Sequence, residues 1–456
     1  MTEVLWKMSA AELAKSYREG TVKPSAALAT ILERIAVVDP LVNVFALLDV
    51  NGAQKAAAES DLRFAEGRPL GAFDGVPVTI KDNINVEGLR CAWGSKLYLD
   101  RISPADELPV ARLRAQGAVI LGKTNVSEFT LGRGNVNTLA FGTTRNPWNL
   151  AVTSGASTGG GSAGVAAGLG PVALGTDGGG SIRRPSSYNN LVGLKPSTGR
   201  VARTDGLPAI LHDFEIIGPI ARTVDDLAMT LSAIEGPDPR DRLSFGFTPG
   251  AFEPVEKGLK ILYVPKFGTW EVEEQITRSC AKAAKDLGAL GFSIEEGETP
   301  FDLDLFETYW PLIGGSGLAW LLKDTDWKGV IGDAYPPMIE KGQSASAIDY
   351  VAALDAARRI YLQLAEKFET YDLIMTPSAG AMPWKAEDHG PAYHRAFTGF
   401  VNAAGLPGIS IPCDPAEDGM PIGFQLIAPF GRDWQLLSIA KLFEDTHPWA
   451  HKWPQI

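Results

Sequence analysis

The chain reads as an α/β protein. Short apolar strands alternate with amphipathic helices over most of its 456 residues, no composition break marks a linker, and no segment repeats at a period of roughly 20 to 50 residues. Together these predict a single large layered α/β/α domain over residues 1–456, with helices covering a central sheet. Hydrophobic residues at 45% and charged residues at 21% supply ample core for it. The net charge of -12 excludes a general nucleic-acid or anionic-membrane surface.

The elements follow in order. Ala10, Leu13, Ala14 and Tyr17 share one helical face, and Ser9 with Glu12 has capping-box spacing. Leu28, Ile31, Leu32, Ile35 and Val38 form a second stripe after Pro24 and Ser25, a helix start. A third helix, about Gly52 to Glu66, ends at GRPLGAFDG, a turn that delivers the chain into the apolar run GVPVTI. A helix over Leu108–Gln116 tolerates Pro109 in its first turn and leads to the buried strand AVILG.

The polar segment after it, residues 123–150, has few structure formers. Asn125, Glu128, Asn137 and Arg145 there are read as loop-positioning side chains. Later, FEIIGPIART predicts a strand and VDDLAMTLSAIEG a capped helix. From residue 236 to about 345 the pattern loosens: LKILYVP and FSIEEGE are β-like, a helix spans about Glu274 to Gly288, and FDLDLFETYWPLIGGSGLAWLL is rich in aromatics. This variable stretch is open to three readings: pocket wall, oligomer surface or ordinary packing. A long helix over Ser346–Thr370 precedes strands in YDLIMTPS, GISIP and IGFQLIAP, with helices about Tyr393–Ala404 and Asp433–Asp445.

Cys91, Cys280 and Cys413 stand far apart, with no CxxC spacing and no disulfide framework. The N-terminal MTEVLWKMSAAELAKSYREG carries three glutamates and lacks the apolar core of a signal peptide, and no apolar run approaches roughly 18 residues. The expectation is a cytoplasmic protein that does not enter membranes. The oligomeric state is not fixed by pattern, and a homodimer is left open.

The stretch from Gly155 to Arg200 holds two Ser-bearing glycine clusters, joined by a small-residue helix and a short apolar strand. Ser181 follows Gly178, Gly179 and Gly180, and three residues without Cβ let the backbone turn sharply and aim several N–H groups at one point. An oxyanion hole beside a nucleophile has that requirement. Ser157 falls at the start of the small-residue helix. Phosphate binding is disfavoured: GASTGGGS lacks the Lys of a Walker loop, and GRGNVN at Gly132 lacks the third Gly of a dinucleotide fingerprint.

Lys81 closes the apolar run GVPVTI. Burial can move a Lys pKa several units below about 10.4, which would leave a neutral amine able to accept a proton. The alternative is an ion pair with Asp82 or another carboxylate. The five histidines, His212, His389, His394, His447 and His451, fall in no glycine-rich or strand-end motif, and no metal-binding pattern is present. No cofactor and no metal are expected. Without a well-placed His, a desolvated Lys is the remaining base for a nucleophilic Ser.

The segments GVPVTIKDN, GKTNVSEF, FGTTRNPW, GASTGGGSAG, LGTDGGGSIRRPSSYNNLVGLKPSTGRV, YDLIMTPS and PIGFQLI resemble, in order and approximate spacing, those of the amidase signature hydrolases. The resemblance covers nearly the whole chain and is densest over a signature core of about residues 75–220. It implies a mixed β-sheet flanked by helices and a Ser-cisSer-Lys triad. Ser181 matches the nucleophile, Ser157 the serine whose peptide bond is cis, and Lys81 the strand-end base. The N–H groups of Gly178, Gly179, Gly180 and Ser181 match the oxyanion-hole loop, and Gly155 is a candidate substrate-binding residue. The implied reaction is hydrolysis of the C–N bond of a linear, small-molecule carboxamide through a Ser181 acyl-enzyme, with release of ammonia or an amine.

Ala156, Thr158 and Gly178 depart from the usual residues of those motifs, and Tyr188-Asn189-Asn190 replaces the more frequent Phe-Cys-Gly. Arg184, three residues after Ser181, stands where an apolar residue is commoner. It is read either as a pocket residue that pairs with a substrate carboxylate or carbonyl, or as half of a structural ion pair. Two further functions stay beside the hydrolase. One is the amidase-like component of a glutamine-dependent transfer-RNA amidotransferase, working with partner subunits; the other is a non-catalytic binding or scaffold protein.

Overall fold

Strands from every part of the chain join one eleven-stranded mixed sheet among the described residues. The structure is a computed structural model and describes residues 2–132 and 134–456; Arg133, within the GRGNVN segment, lies outside them. The first strands are β1 (Phe45–Leu48), β2 (Pro77–Lys81) and β3 (Val119–Thr124). The polar segment then forms two small ribbons, β4 (Asn137–Thr138) with β5 (Gly142–Thr143) and β6 (Arg145–Asn146) with β7 (Asn149–Thr153). Next come β8 (Val172–Asp177), β9 (Val192–Lys195), β10 (Ile216–Ala221), β11 (Lys260–Tyr263) and β12 (Ser293–Glu296). The last are β13 (Leu373–Pro377), β14 (Gly408–Pro412) and β15 (Gly423–Ile427).

The sheet runs in the order β1-β3-β2-β8-β10-β9-β14-β15-β13-β11-β12. Strands β3, β2 and β8 are parallel neighbours, as are β13, β11 and β12, while the centre is antiparallel. The loose stretch after residue 236 thus extends the same sheet through β11 and β12. It also contains the helix Leu303–Leu321, which Pro311, Gly314 and Gly315 hide in the sequence pattern.

The early helices form as expected. Ala10–Arg18 carries the Ser9–Glu12 capping box in both directions, Pro24–Val42 follows the stripe that predicts it, and Val50–Ala65 and Leu108–Ala115 fall where helices are expected. Apolar faces of helices at both ends of the chain meet Val78, Ile80, Val172 and Leu174 in one large core. A second core lies under the aromatic helix Leu303–Leu321 and the helix Ala347–Lys367. Since strand side chains alternate, Val78 and Ile80 entering the first core turns Thr79 and Lys81 to the opposite face of β2. No described helix is long and apolar enough to cross a membrane.

Candidate active site

Parallel pairing of β2 with β8 matches Ile80 with Leu174 and brings the carboxyl ends of the two strands together, where α/β sheets commonly open their binding crevices. Lys81 ends β2 and Asp177 ends β8. Between these strands in sequence, the chain passes Ser157 and enters the small-residue helix Gly159–Ala167, every residue of which is buried. The Ala156–Ser157 peptide bond is cis.

Lys81 is fully buried, and its Nζ lies 2.8 Å from Ser157 Oγ, 2.8 Å from Thr176 Oγ1 and 3.0 Å from the Thr176 carbonyl oxygen. The ion pair with Asp82 that the sequence allowed does not form: Asp82 lies 3.6 Å from Lys123 instead. Burial pulls the Lys81 amine down to about 7, against the opposing fields of Glu215 and Asp177. A neutral amine has two N–H bonds and one lone pair. With both N–H groups donated to Thr176, the lone pair faces the Ser157 hydroxyl, the direction a proton acceptor needs.

Thr176 is held in turn. Asn83 Nδ2 donates to Thr176 Oγ1 at 3.1 Å and to Glu215 Oε1 at 3.0 Å, and Thr130 Oγ1 donates to Glu215 Oε2 at 3.0 Å. Glu215 therefore sits at the end of a polar chain that begins at the Lys81 amine.

Asp177 organises the glycine loop before Ser181. Its carboxylate accepts N–H bonds from Gly180 at 2.6 Å and Ile182 at 3.0 Å, and pairs with the Arg183 guanidinium through two further bonds of 3.0 and 2.9 Å. Burial alone would raise this carboxyl, yet the adjacent Arg183 holds it well below the usual carboxylate range. Arg183 also donates to Gln425, Asn402 and the Thr398 carbonyl, so it braces the loop and does not face the cavity.

One expected oxyanion donor is thereby corrected. The Gly180 N–H is bound to Asp177, because Gly180 takes a positive φ of 111° that turns its amide inward. Gly178, Gly179 and Ser181 remain on the cavity wall together with Ser157. Thr398 Oγ1 fixes the loop by donating to the Gly179 carbonyl at 2.7 Å. Ser157 and Ser181 both line this one cavity, and among the described residues Ser181 Oγ has no hydrogen bond to Ser157. Gly155 is corrected as well. It lies outside the cavity lining, where its φ of 82° and close packing on Pro185 and Tyr188 set the path into Ser157.

Arg184 is 4% exposed and lines the cavity with the two serines. Its Nη2 donates to the Ala156 carbonyl at 2.7 Å, whereas Nε and Nη1 have no partner. The structural ion pair offered by the sequence is absent among the described residues. Trp310, His394 and Arg395 complete this wall. Sequence reasoning singles out none of the three, although pocket wall is one reading of the aromatic stretch that holds Trp310. Trp310 lies on the hidden helix, and His394-Arg395 falls where a helix about Tyr393–Ala404 is expected, in no glycine-rich or strand-end motif that would mark it as a site. Asn125, Glu128, Asn137 and Arg145 keep to loop positioning. Asn125 bonds Thr144 and Glu128 accepts from Ser95, while Asn137 accepts from Thr143 and Arg145 pairs with Glu387.

Among the described residues no group of three His, Cys, Asp or Glu side chains is arranged to hold a metal ion. The three cysteines are free thiols.

A strand-end lysine against a serine, beside a second serine on a glycine loop, is the arrangement of amidase signature hydrolases. The chain belongs to that family: the Amidase family model matches residues 26–437. It is 34% identical to the A component of the glutamyl-tRNA(Gln) amidotransferase of Thermosynechococcus vestitus, over 93% of this chain and 95% of the relative. It is 33% identical to an acylamidase of Rhodococcus erythropolis over 98% and 97% of the two chains. The fold matches a solved structure of 6-aminohexanoate cyclic dimer hydrolase with a TM-score of 0.89, at 26% identity and 99% coverage of each chain.

Proposed function

We propose that the protein hydrolyses the C–N bond of a small carboxamide through an acyl-enzyme on Ser181. The observation that carries this reading is the buried Lys81 amine, 2.8 Å from Ser157 Oγ and drawn down to about 7. Neutral Lys81 takes the proton of Ser157 as Ser157 takes that of Ser181, and Ser181 Oγ attacks the amide carbonyl carbon. The N–H groups of the Gly178–Gly179 turn and of Ser181 are suited to bind the developing oxyanion. The C–N bond then breaks, the proton returns through Ser157 to the leaving nitrogen, and ammonia or an amine departs. Water attacks the acyl carbon, releasing a carboxylic acid and restoring Ser181.

The purified chain alone should release ammonia or amine from members of a panel of linear and cyclic amides. A sulfonyl fluoride should add one adduct mass to the wild type and none to Ser181→Ala. A wild-type chain that neither turns over any amide nor takes the label would overturn the reading.

A second reading rests on the 34% identity to an amidotransferase component. Under it, the chain would release ammonia from glutamine only with partner subunits present. Turnover of simple amides by the isolated chain excludes it.

A further inference from the structure

The wall of the cavity that holds Ser157 and Ser181 carries two guanidinium groups and no carboxylate among its described residues. Arg184 and Arg395 both line it, and no described Asp or Glu does. Arg184 is almost completely buried, and two of its three guanidinium nitrogens lack an acceptor. Arg395 donates one bond, from Nη2 to the Gly132 carbonyl at 3.1 Å, and its guanidinium carbon lies 5.8 Å from the centre of the Trp310 ring. A buried cation without a partner is costly, since desolvation is unrepaid and the fork's donors go unused. Burial and the charge of Arg184 together draw Arg395 down to about 10, and burial, with the charge of Arg183, lowers Arg184 from its ordinary value against the opposing field of Asp177.

His394 adds to the picture without relieving it. Its Nδ1 lies 2.5 Å from the Pro391 carbonyl, so Nδ1 carries the proton and Nε2, buried and unpartnered, is an acceptor. Burial and the two arginines hold the ring well below its ordinary pKa, leaving it neutral between them. The local charge therefore comes from the arginines alone, and it lines the same cavity as Ser181.

We propose that Arg184 and Arg395 form an anion subsite, and that the substrate is a small amide carrying a carboxylate within a few bonds of the scissile carbonyl. A carboxylate supplies two planar oxygens for the free guanidinium donors and neutralises the wall as it binds. The cavity is tight, about 30 Å3, against the roughly 10–15 Å3 that one water requires. That space matches a carboxylate head group, and the monoamide of a small dicarboxylic acid is the simplest amide that carries one near its carbonyl. This inference rests on the amide-hydrolase reading and narrows it.

The test compares kcat/KM for the monoamides of malonic, succinic and glutaric acids with that for the matching uncharged diamides. It adds amides of glycine and β-alanine, whose carboxylate lies on the leaving amine. In the wild type one carboxylate series should exceed its neutral counterparts by about 100-fold, and which series does so tells whether the subsite serves the acyl or the amine side. Arg184→Lys and Arg395→Gln should each shrink that ratio at least tenfold. Titration of malonate and succinate into Ser181→Ala, followed calorimetrically, gives a second readout that needs no turnover; binding should be lost in Ser181→Ala/Arg184→Lys. Equal rates for charged and neutral amides, or a ratio unmoved in both arginine variants, would sink the proposal while leaving amide hydrolysis intact. Dicarboxylate binding without turnover of any amide would instead remove the hydrolase reading and keep the subsite.

Discussion

Asp82 turns to Lys123, 3.6 Å away, and not to Lys81 beside it in the chain. Adjacent residues at a strand end point to opposite sides, so the carboxylate nearest in sequence is spent on another lysine and Lys81 keeps its amine for Ser157. The amine is held near 7 chiefly by burial. In the proposed mechanism the unprotonated form is the base, so kcat/KM for an uncharged amide should rise through about pH 7 to a plateau. A profile flat from pH 5.5 to 9 would remove Lys81 from the proton path.

The same shift has a stability consequence of definite sign. A lysine of lowered pKa binds fewer protons in the folded than in the unfolded state, so stability rises with pH between about 7 and the unfolded value near 10.4. Below pH 7 the full penalty is present, roughly 5 kcal/mol for this size of shift. Lys81→Met should therefore gain stability relative to the wild type at pH 6, and that relative gain should fade by pH 10. Paired urea melts at the two pH values check it.

Glu215 is expected to tune the base from a distance. Its field favours the ammonium form of Lys81, and Asn83 and Thr176 connect the two groups. Glu215→Gln keeps the shape but removes the charge, so the rising limb of the pH–rate profile should move to lower pH. A limb that stays in place, or moves up, would show that Glu215 does not act through Lys81.

How far the site was legible depends on what each residue's signal is made of. Lys81, Ser157 and Ser181 lie in short motifs bounded by glycine or an apolar strand, where local sequence constrains local geometry, and they are readable. The sheet was readable as alternation, because β2, β3, β8 and β13 are short apolar runs between turns. Its strand order was not, since pairings such as β9 with β14 join segments about 215 residues apart and leave no trace in either alone. His394, Arg395 and Trp310 reach the cavity from such distant segments. Gly180 shows the opposite limit. Its place in a glycine run predicts a free N–H, whereas the Asp177 carboxylate, three residues earlier, captures it.

That carboxylate should also matter for stability. Asp177 and Arg183 are both fully buried, and two bonds join them. Asp177→Asn leaves the guanidinium in low dielectric with only neutral partners, Gln425, Asn402 and the Thr398 carbonyl. Loss of one member of a buried pair typically costs about 3–5 kcal/mol, and the urea midpoint should fall accordingly. A change under about 1 kcal/mol would mean that the neutral partners suffice.

Gly180 and Thr398 make a linked prediction. A Cβ built on Gly180 would sit 2.2 Å from Thr398 Oγ1, at a backbone φ of 111° that side chains rarely adopt. Thr398 Oγ1 also holds the Gly179 carbonyl, so displacing it loosens the turn proposed to bind the oxyanion. Gly180→Ala should then lower kcat on the order of 100-fold, the scale of a disabled oxyanion donor, with a smaller effect on KM. Two causes are separable, because steric pressure is relieved by making room and backbone strain is not. If contact dominates, Gly180→Ala/Thr398→Ala should recover part of the lost kcat; if strain dominates, the double variant should be no faster than Gly180→Ala. A Gly180→Ala enzyme with wild-type kcat would show that the turn tolerates movement and that its donors are not aimed by this contact.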